Sequence, residues 1–338
     1  MTDAEPSVAR TRMEMLPLPI VVDADVLHRN IDYCLRKGWN PSLLDSASTD
    51  YTLFTGVVLF ATARVQEEVE SQLEEIAARR EVAREDVVGV WNEVFLPRVR
   101  FVEISESDVE DPRIEEVRTL HDADAATAAL AVLLAPCIVL TDNRKHFAPL
   151  GLRDTPTDTI ALDAHELSRY YRSANLMMIV PTITGAMAIE GSKKIVSMIG
   201  REATALIALV LLGAAVVLWR SEPDGQLRQS AKHLAHGIGP PLTVAATRAL
   251  DLTDQMSVLA IEPPSSPDSA LRFTAKILST RQTVITTADI SRRLRERDYR
   301  FTGPQAQATQ ARRWLLAQAC FVEQRRGHWT IGYHADPL

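Results

Sequence analysis

The sequence predicts an α/β fold, a parallel sheet flanked by helices over residues 16–165, and two observations carry that expectation. First, there are four short apolar runs rich in Val and Ile, each carrying a polar residue at or next to its end: LPIVVD (18–23), VRFVEI (99–104), CIVLTD (137–142) and TIALD (159–163). Near-continuous apolar runs of this length suit strands that are covered on both faces, as in a parallel sheet. Second, helical periodicity lies between them. Val65, Val69, Leu73 and Ile76 recur every three or four positions within a helix expected over 56–80, and a second helix is expected over about 124–135. Strands alternating with helices fold most simply as a parallel sheet with helices on its faces.

A chain of 338 residues is long for one hydrophobic core. With 46% apolar and 24% charged residues it reads as globular rather than disordered or fibrous. Cys34, Cys137 and Cys320 are scattered and odd in number, which argues against a disulfide framework and for a reducing compartment. The stretch MTDAEPSVARTRMEM has charges with no apolar core behind them, so no secretory signal is expected there. Charge is unevenly placed. Leu271 to His334 carries 12 Lys/Arg against 4 Asp/Glu, a balance of +8; the whole chain is −7, so the rest holds −15. An acidic body with a basic end suggests modules with different partners.

Three further blocks follow the first. Residues 175–220 are the most apolar: ATALIALVLLGAAVVLW (203–219) is 17 residues without a charge, and NLMMIVPTITGAMAI (175–189) is a weaker run. As a helix, 203–219 covers about 25 Å, slightly short of a bilayer core. Its uniform apolarity and the Arg220 that follows favour a transmembrane anchor, with functional domains facing the cytoplasm; a buried helix in a cytoplasmic protein is the rival. Residues 221–268 form a helical connector closed by the linker EPPSSPD. Residues 270–334 read as three helices and a hairpin. TTADISRRLRER begins on a Thr cap, QATQARRWLLAQACF is amphipathic, and FVEQRRGHWTIGYH folds around a turn at Gly327.

The chemistry of the first block lies in its acids. A cation such as Mg²⁺ takes hard oxygen ligands, and an open α/β sheet brings strand ends and helix starts together at its carboxyl edge. Asp23 closes the first strand, with Asp25 two positions on. Asp142 closes CIVLT, Asp124 opens the helix DAATAALAVLL, and Glu68 lies on the long helix beside Val69.

VVDADVLHRNI, VQEEVESQL, HDADAATAALA and IVLTDNRKHFAPLGL, in this order, resemble the four acidic motifs of the PIN-domain nucleases and cover most of residues 18–155. The resemblance implies a metal-dependent endoribonuclease acting on single-stranded RNA. It also implies Mg²⁺ or Mn²⁺ as cofactor, and Asp23, Glu68, Asp124 and Asp142 as metal ligands and catalytic carboxylates. Toxins of toxin–antitoxin pairs belong to this family, so an antitoxin-like protein or a second copy of the chain is an implied partner. Many members place the last Asp where this chain has Asn143, which leaves Asp142 or a water held by Asn143 to serve. Glu67 competes with Glu68, Asp122 with Asp124, and Asp25 stands beside Asp23.

Each acid has a plainer reading as a cap, a turn residue or part of a solvated helix face. His121 and His146 read as surface residues, and Trp91 and Phe95 as core. The C-terminal block resembles a winged helix, with ARRWLLAQACF as recognition helix and EQRRGHW as wing. Arg292, Arg293, Arg312, Arg313, Arg325 and Arg326 would then neutralise phosphates of a nucleic acid. The alternative function is a non-catalytic scaffold that uses the same fold to bind protein or nucleic acid. The carboxylates separate the two, since a scaffold has no need to bring four acids together.

Overall fold

The structure is a computed structural model that describes residues 17–37, 57–168, 248, 251–264, 269–280, 284–299, 301 and 306–338. The apolar block 175–220 and most of the connector 221–268 lie outside the described residues. No helix among those described is long and apolar enough to cross a membrane.

Four strands, β1 (Leu18–Val22), β2 (Val57–Thr62), β3 (Val99–Val102) and β4 (Ile138–Leu140), form one parallel sheet in the order β3-β2-β1-β4. Successive side chains in each strand go to opposite faces. Ile20, Val22, Leu59, Ala61, Ile138 and Leu140 enter one apolar cluster. Val21, Val58, Phe60 and Val139 enter the other. Both faces are therefore dry, which is why these strands show no polar alternation in sequence.

The first face is covered by α1 (Ala24–Lys37), α2 (Ala63–Arg80) and α3 (Arg84–Val90), the last continuing as a π turn over Trp91–Phe95. Trp91 and Phe95 are fully buried and stacked 5.8 Å apart, as the core reading expects. The second face is covered by α4 (Pro112–Leu120) and α5 (Ala125–Leu134), and every residue of α5 is buried.

Two expectations need correction. The run expected as one helix over 56–80 is the central strand β2 followed by α2. The only punctuation between them is Thr62, whose hydroxyl accepts from the Val65 N–H at 3.2 Å as the helix cap. A buried strand running into an amphipathic helix without Gly or Pro reads as unbroken apolar periodicity. TIALD (159–163), expected as a strand, lies in a helix, α6 (157–168). Ile160, Ala161, Ala164 and Leu167 are its buried apolar residues, a helical spacing, and Pro156 precedes its first turn.

A helical stretch, α7 (251–257), returns Leu252 and Met256 to the first cluster. The Ile261 N–H donates to the Cys137 carbonyl at 2.8 Å. The C-terminal block follows as α8 (Ala270–Ser279), β5 (Ile285–Thr286), α9 (Thr287–Glu296), α10 (Gln307–Leu316), β6 (Phe321–Arg325) and β7 (His328–Ile331), with an antiparallel sheet ordered β5-β7-β6. The expected three helices and hairpin are present. The Thr286 hydroxyl caps α9, and Gly327 forms the hairpin turn at φ +75°.

This block does not stand apart. α8 packs on α5, and a single apolar cluster joins Val21, Phe60 and Leu130 to Leu278, Ile290, Leu315 and Trp329. Tyr333 then pairs with Phe101 on the outer edge of β3 through two backbone hydrogen bonds of 2.8 Å. Gly332 permits that approach. Its φ is +69°, and a Cβ there would lie 2.7 Å from the Phe101 carbonyl oxygen. Gly332→Ala should therefore cost about 1–3 kcal/mol in denaturant unfolding. Gly151→Ala, at φ +72° with open space around it, should cost visibly less. Equal losses at the two positions would show that the edge contact contributes nothing.

Candidate active site

β1 and β4 are adjacent, but the chain leaves β1 for β2 on one side and reaches β4 only after crossing the other face. This is the point where the strand order reverses, and the crevice beyond the strand ends is where open α/β sheets bind ligands. Asp23 follows the last residue of β1, and its N–H donates to the Leu140 carbonyl of β4 at 3.0 Å. Its carboxylate is 6% exposed and accepts from the Ala24 N–H at 3.0 Å and the Thr141 hydroxyl at 2.9 Å. Burial, followed by the charges of Asp124 and Asp25, pushes its pKa up to about 7 despite those two bonds.

Asp25 stands in the first turn of α1. Burial raises its pKa, then the nearby charges of Asp142 and Asp124, while the Asn143 amide donates a hydrogen bond to it. Glu68, half-buried on α2, is raised by burial and then by Asp25 and Asp124. Asp25 and Asp124 thus each lie within electrostatic reach of both Asp23 and Glu68, although the group of three ligand atoms close enough to share a cation among the described residues is His121, Asp124 and His146. Asp23, Asp25, Glu68 and Asp124 come from a strand end, a helix start, a helix face and a second helix start.

Asp124 precedes α5 without using its side chain as a cap, so the plain capping role does not account for it. Its Oδ2 instead meets the Nδ1 atoms of His146 at 2.9 Å and His121 at 3.3 Å. Neither histidine carried a functional signal in sequence beyond the three-residue step from His121 to Asp124.

The competing residues separate by position. Glu67 is exposed on α2 and its charge acts on Tyr333, away from Asp25. Asp122 is exposed, whereas the Asp124 side chain is only 12% exposed. Asp142 is near enough to act on Asp25, but one oxygen pairs with Arg29 at 2.9 Å and accepts from the Thr157 hydroxyl at 3.2 Å. Asn143 holds Asp25 instead, and its N–H donates to Thr141 Oγ1 at 3.0 Å. Thr141 and Arg29 are further members of the site that the sequence did not announce.

Among the six C-terminal arginines, Arg312 is held by Glu323 through two bonds of 2.8 and 2.7 Å, and Arg292 pairs with Asp289 at 2.9 Å and Glu296 at 3.6 Å. Arg293 lies near Asp289. Arg313 on α10 and Arg325 and Arg326 beside the hairpin turn form no ion pair among the described residues, and all three are exposed.

The fold and the site define a parallel α/β protein with a carboxylate cluster at its topological switch point. No protein-family model, no curated protein and no solved structure matches the chain.

Proposed function

We propose that the chain is a divalent-cation-dependent ribonuclease of PIN type that hydrolyses phosphodiester bonds of single-stranded RNA. The observation that supports this reading is the coupling of Asp25 and Asp124 to both Asp23 and Glu68, with Asp23, Asp25 and Glu68 held above their ordinary proton affinity by burial and neighbouring carboxylates. Such a set is unfavourable by itself and fits a hard cation with oxygen ligands. Asp23, Glu68 and Asp124 would hold Mg²⁺ or Mn²⁺, with Asp25 and Asp142 beside them. A bound cation supplies a water of lowered pKa and neutralises phosphate charge.

The chain's own groups divide the remaining work. The Thr141 hydroxyl and the Ala24 N–H fix the Asp23 carboxylate, and Asn143 fixes Asp25. Arg29 neutralises Asp142 and orients it. The C-terminal block has the element order of a winged helix. In this reading Arg313, Arg325 and Arg326 are its phosphate contacts, while Arg312 and Arg292 serve the block's own structure.

Glu68→Gln and Asp124→Asn should each lower Mg²⁺-dependent cleavage of a single-stranded RNA by more than about 100-fold. Changes one shell further from a metal already cost about 10–100-fold. EDTA should abolish cleavage by the unaltered protein. Cleavage undiminished by EDTA, or equal rates in both variants and the parent, would falsify the proposal.

A further inference from the structure

The two imidazoles on Asp124 have no place in a cation site made of carboxylates alone. His121 caps the end of α4, its N–H bonded to the Val117 carbonyl at 2.8 Å. His146 sits in the turn after β4, its N–H bonded to the Asn143 carbonyl at 2.9 Å. The two come from separate segments, yet their rings stack 4.7 Å apart at 10°. Both present Nδ1, rather than Nε2, to the same carboxylate oxygen. One nitrogen of each ring and a carboxylate oxygen of Asp124 all lie within 4.8 Å of one another. A neutral imidazole has one N–H, so this arrangement as pure hydrogen bonding needs both rings in the Nδ1–H form and one oxygen accepting twice.

As a ligand set the arrangement is simpler. Two nitrogens and one oxygen at this separation can share a cation with bonds of about 2.0–2.2 Å. His121 is 50% exposed at its side chain, against 21% for His146 and 12% for Asp124, so the outer side is open to water or a phosphate oxygen. Imidazole nitrogen selects borderline divalent transition metals and gives Mg²⁺ little advantage.

We propose that His121, Asp124 and His146 form a second metal site, selective for Zn²⁺, Co²⁺ or Mn²⁺ over Mg²⁺, which shares Asp124 with the carboxylate cluster. The site goes beyond the nuclease reading and requires no cleavage to be demonstrated. Through Asp124 its occupancy is tied to that of the cluster, so the two sites compete for, or jointly use, one carboxylate.

The test uses the full chain without a histidine tag, stripped with chelator and titrated with Co²⁺ in millimolar Mg²⁺. Binding is followed by calorimetry and by the visible absorption of the ion. The unaltered protein should bind one equivalent that Mg²⁺ does not displace, and X-ray absorption of the Zn²⁺ form should show imidazole ligands. His146→Gln, which keeps a hydrogen-bond donor for Asp124, and His121→Ala should each weaken that equivalent by at least about 10–100-fold. Asp23→Asn, which lies in the other cluster, should retain it.

Absence of imidazole ligation in the unaltered protein overturns the site. So does displacement by Mg²⁺, or unchanged affinity in both His146→Gln and His121→Ala. Metal held by imidazole in a protein that cleaves no RNA would leave this site standing and remove the nuclease. Cleavage without imidazole ligation would do the reverse.

Discussion

Asp23→Asn should make the metal-free protein more stable at pH 8 while removing its activity. The sign follows from the proton. The folded-state pKa of Asp23 is about 7 against an ordinary 3.8, so the native state binds the proton more tightly than the unfolded chain. The stability linked to this group is fully present below about pH 4 and is lost as pH rises through about 7. By pH 8 the ionised carboxylate would cost up to about 4 kcal/mol.

Asparagine removes that charge with little change of shape, and the Thr141 hydroxyl can accept from its amide as readily as it donates to the acid. The variant should therefore melt higher than the parent in EDTA at pH 8 and level with it near pH 4. Added Mg²⁺ should reverse the order, since only the parent gains from binding it. If the proposed nuclease reading holds, RNA cleavage should fall by more than about 100-fold, as for Glu68→Gln and Asp124→Asn. Identical melting of parent and variant across this pH range would mean that Asp23 is not the strained acid of the cluster.

Trp329→Ala should have a comparable effect of opposite sign, about 3–5 kcal/mol of lost stability. Trp329 is fully buried on β7, and its indole N–H donates to the Thr287 hydroxyl at 2.9 Å. It belongs to the same apolar cluster as Val21 and Phe60 of the parallel sheet. The loss should therefore spread. Hydrogen exchange should speed up in α5 and β1 together with β6 and β7, and unfolding should remain one transition. Protection unchanged in α5 and β1 would show that the C-terminal block folds by itself and merely rests on the sheet.

The sequence made strand ends and helix starts readable because their chemistry is local. Asp23 ends a Val/Ile run and Asp124 opens an alanine-rich helix, so both could be placed at one edge before any contact was known. Local chemistry could not choose between neighbours. Glu67 and Glu68 differ in which side of α2 they occupy, and Asp122 and Asp124 in burial; both differences arise from packing. β2 is hidden in the sequence because its residues are apolar on both faces and flow into α2 past a single threonine. α6 reads as a strand in sequence because Thr159 and Ile160 favour extended backbone, whereas its buried apolar residues keep a helical step. The pairing of His121 with His146 depends on the turn after β4 closing over the start of α5, a tertiary contact with no trace in composition.

The seam between Tyr333 and Phe101 also sets an order of events during synthesis. β3 is made early, yet the backbone groups on its outer edge acquire this partner only when residues near 333 have left the ribosome. Until then the sheet has an open edge, and the second apolar face lacks Trp329 and its neighbours. A chain stalled before the last hairpin would carry every acid of the candidate site on an unfinished scaffold. Closure of the second apolar face is thereby tied to completion of the hairpin.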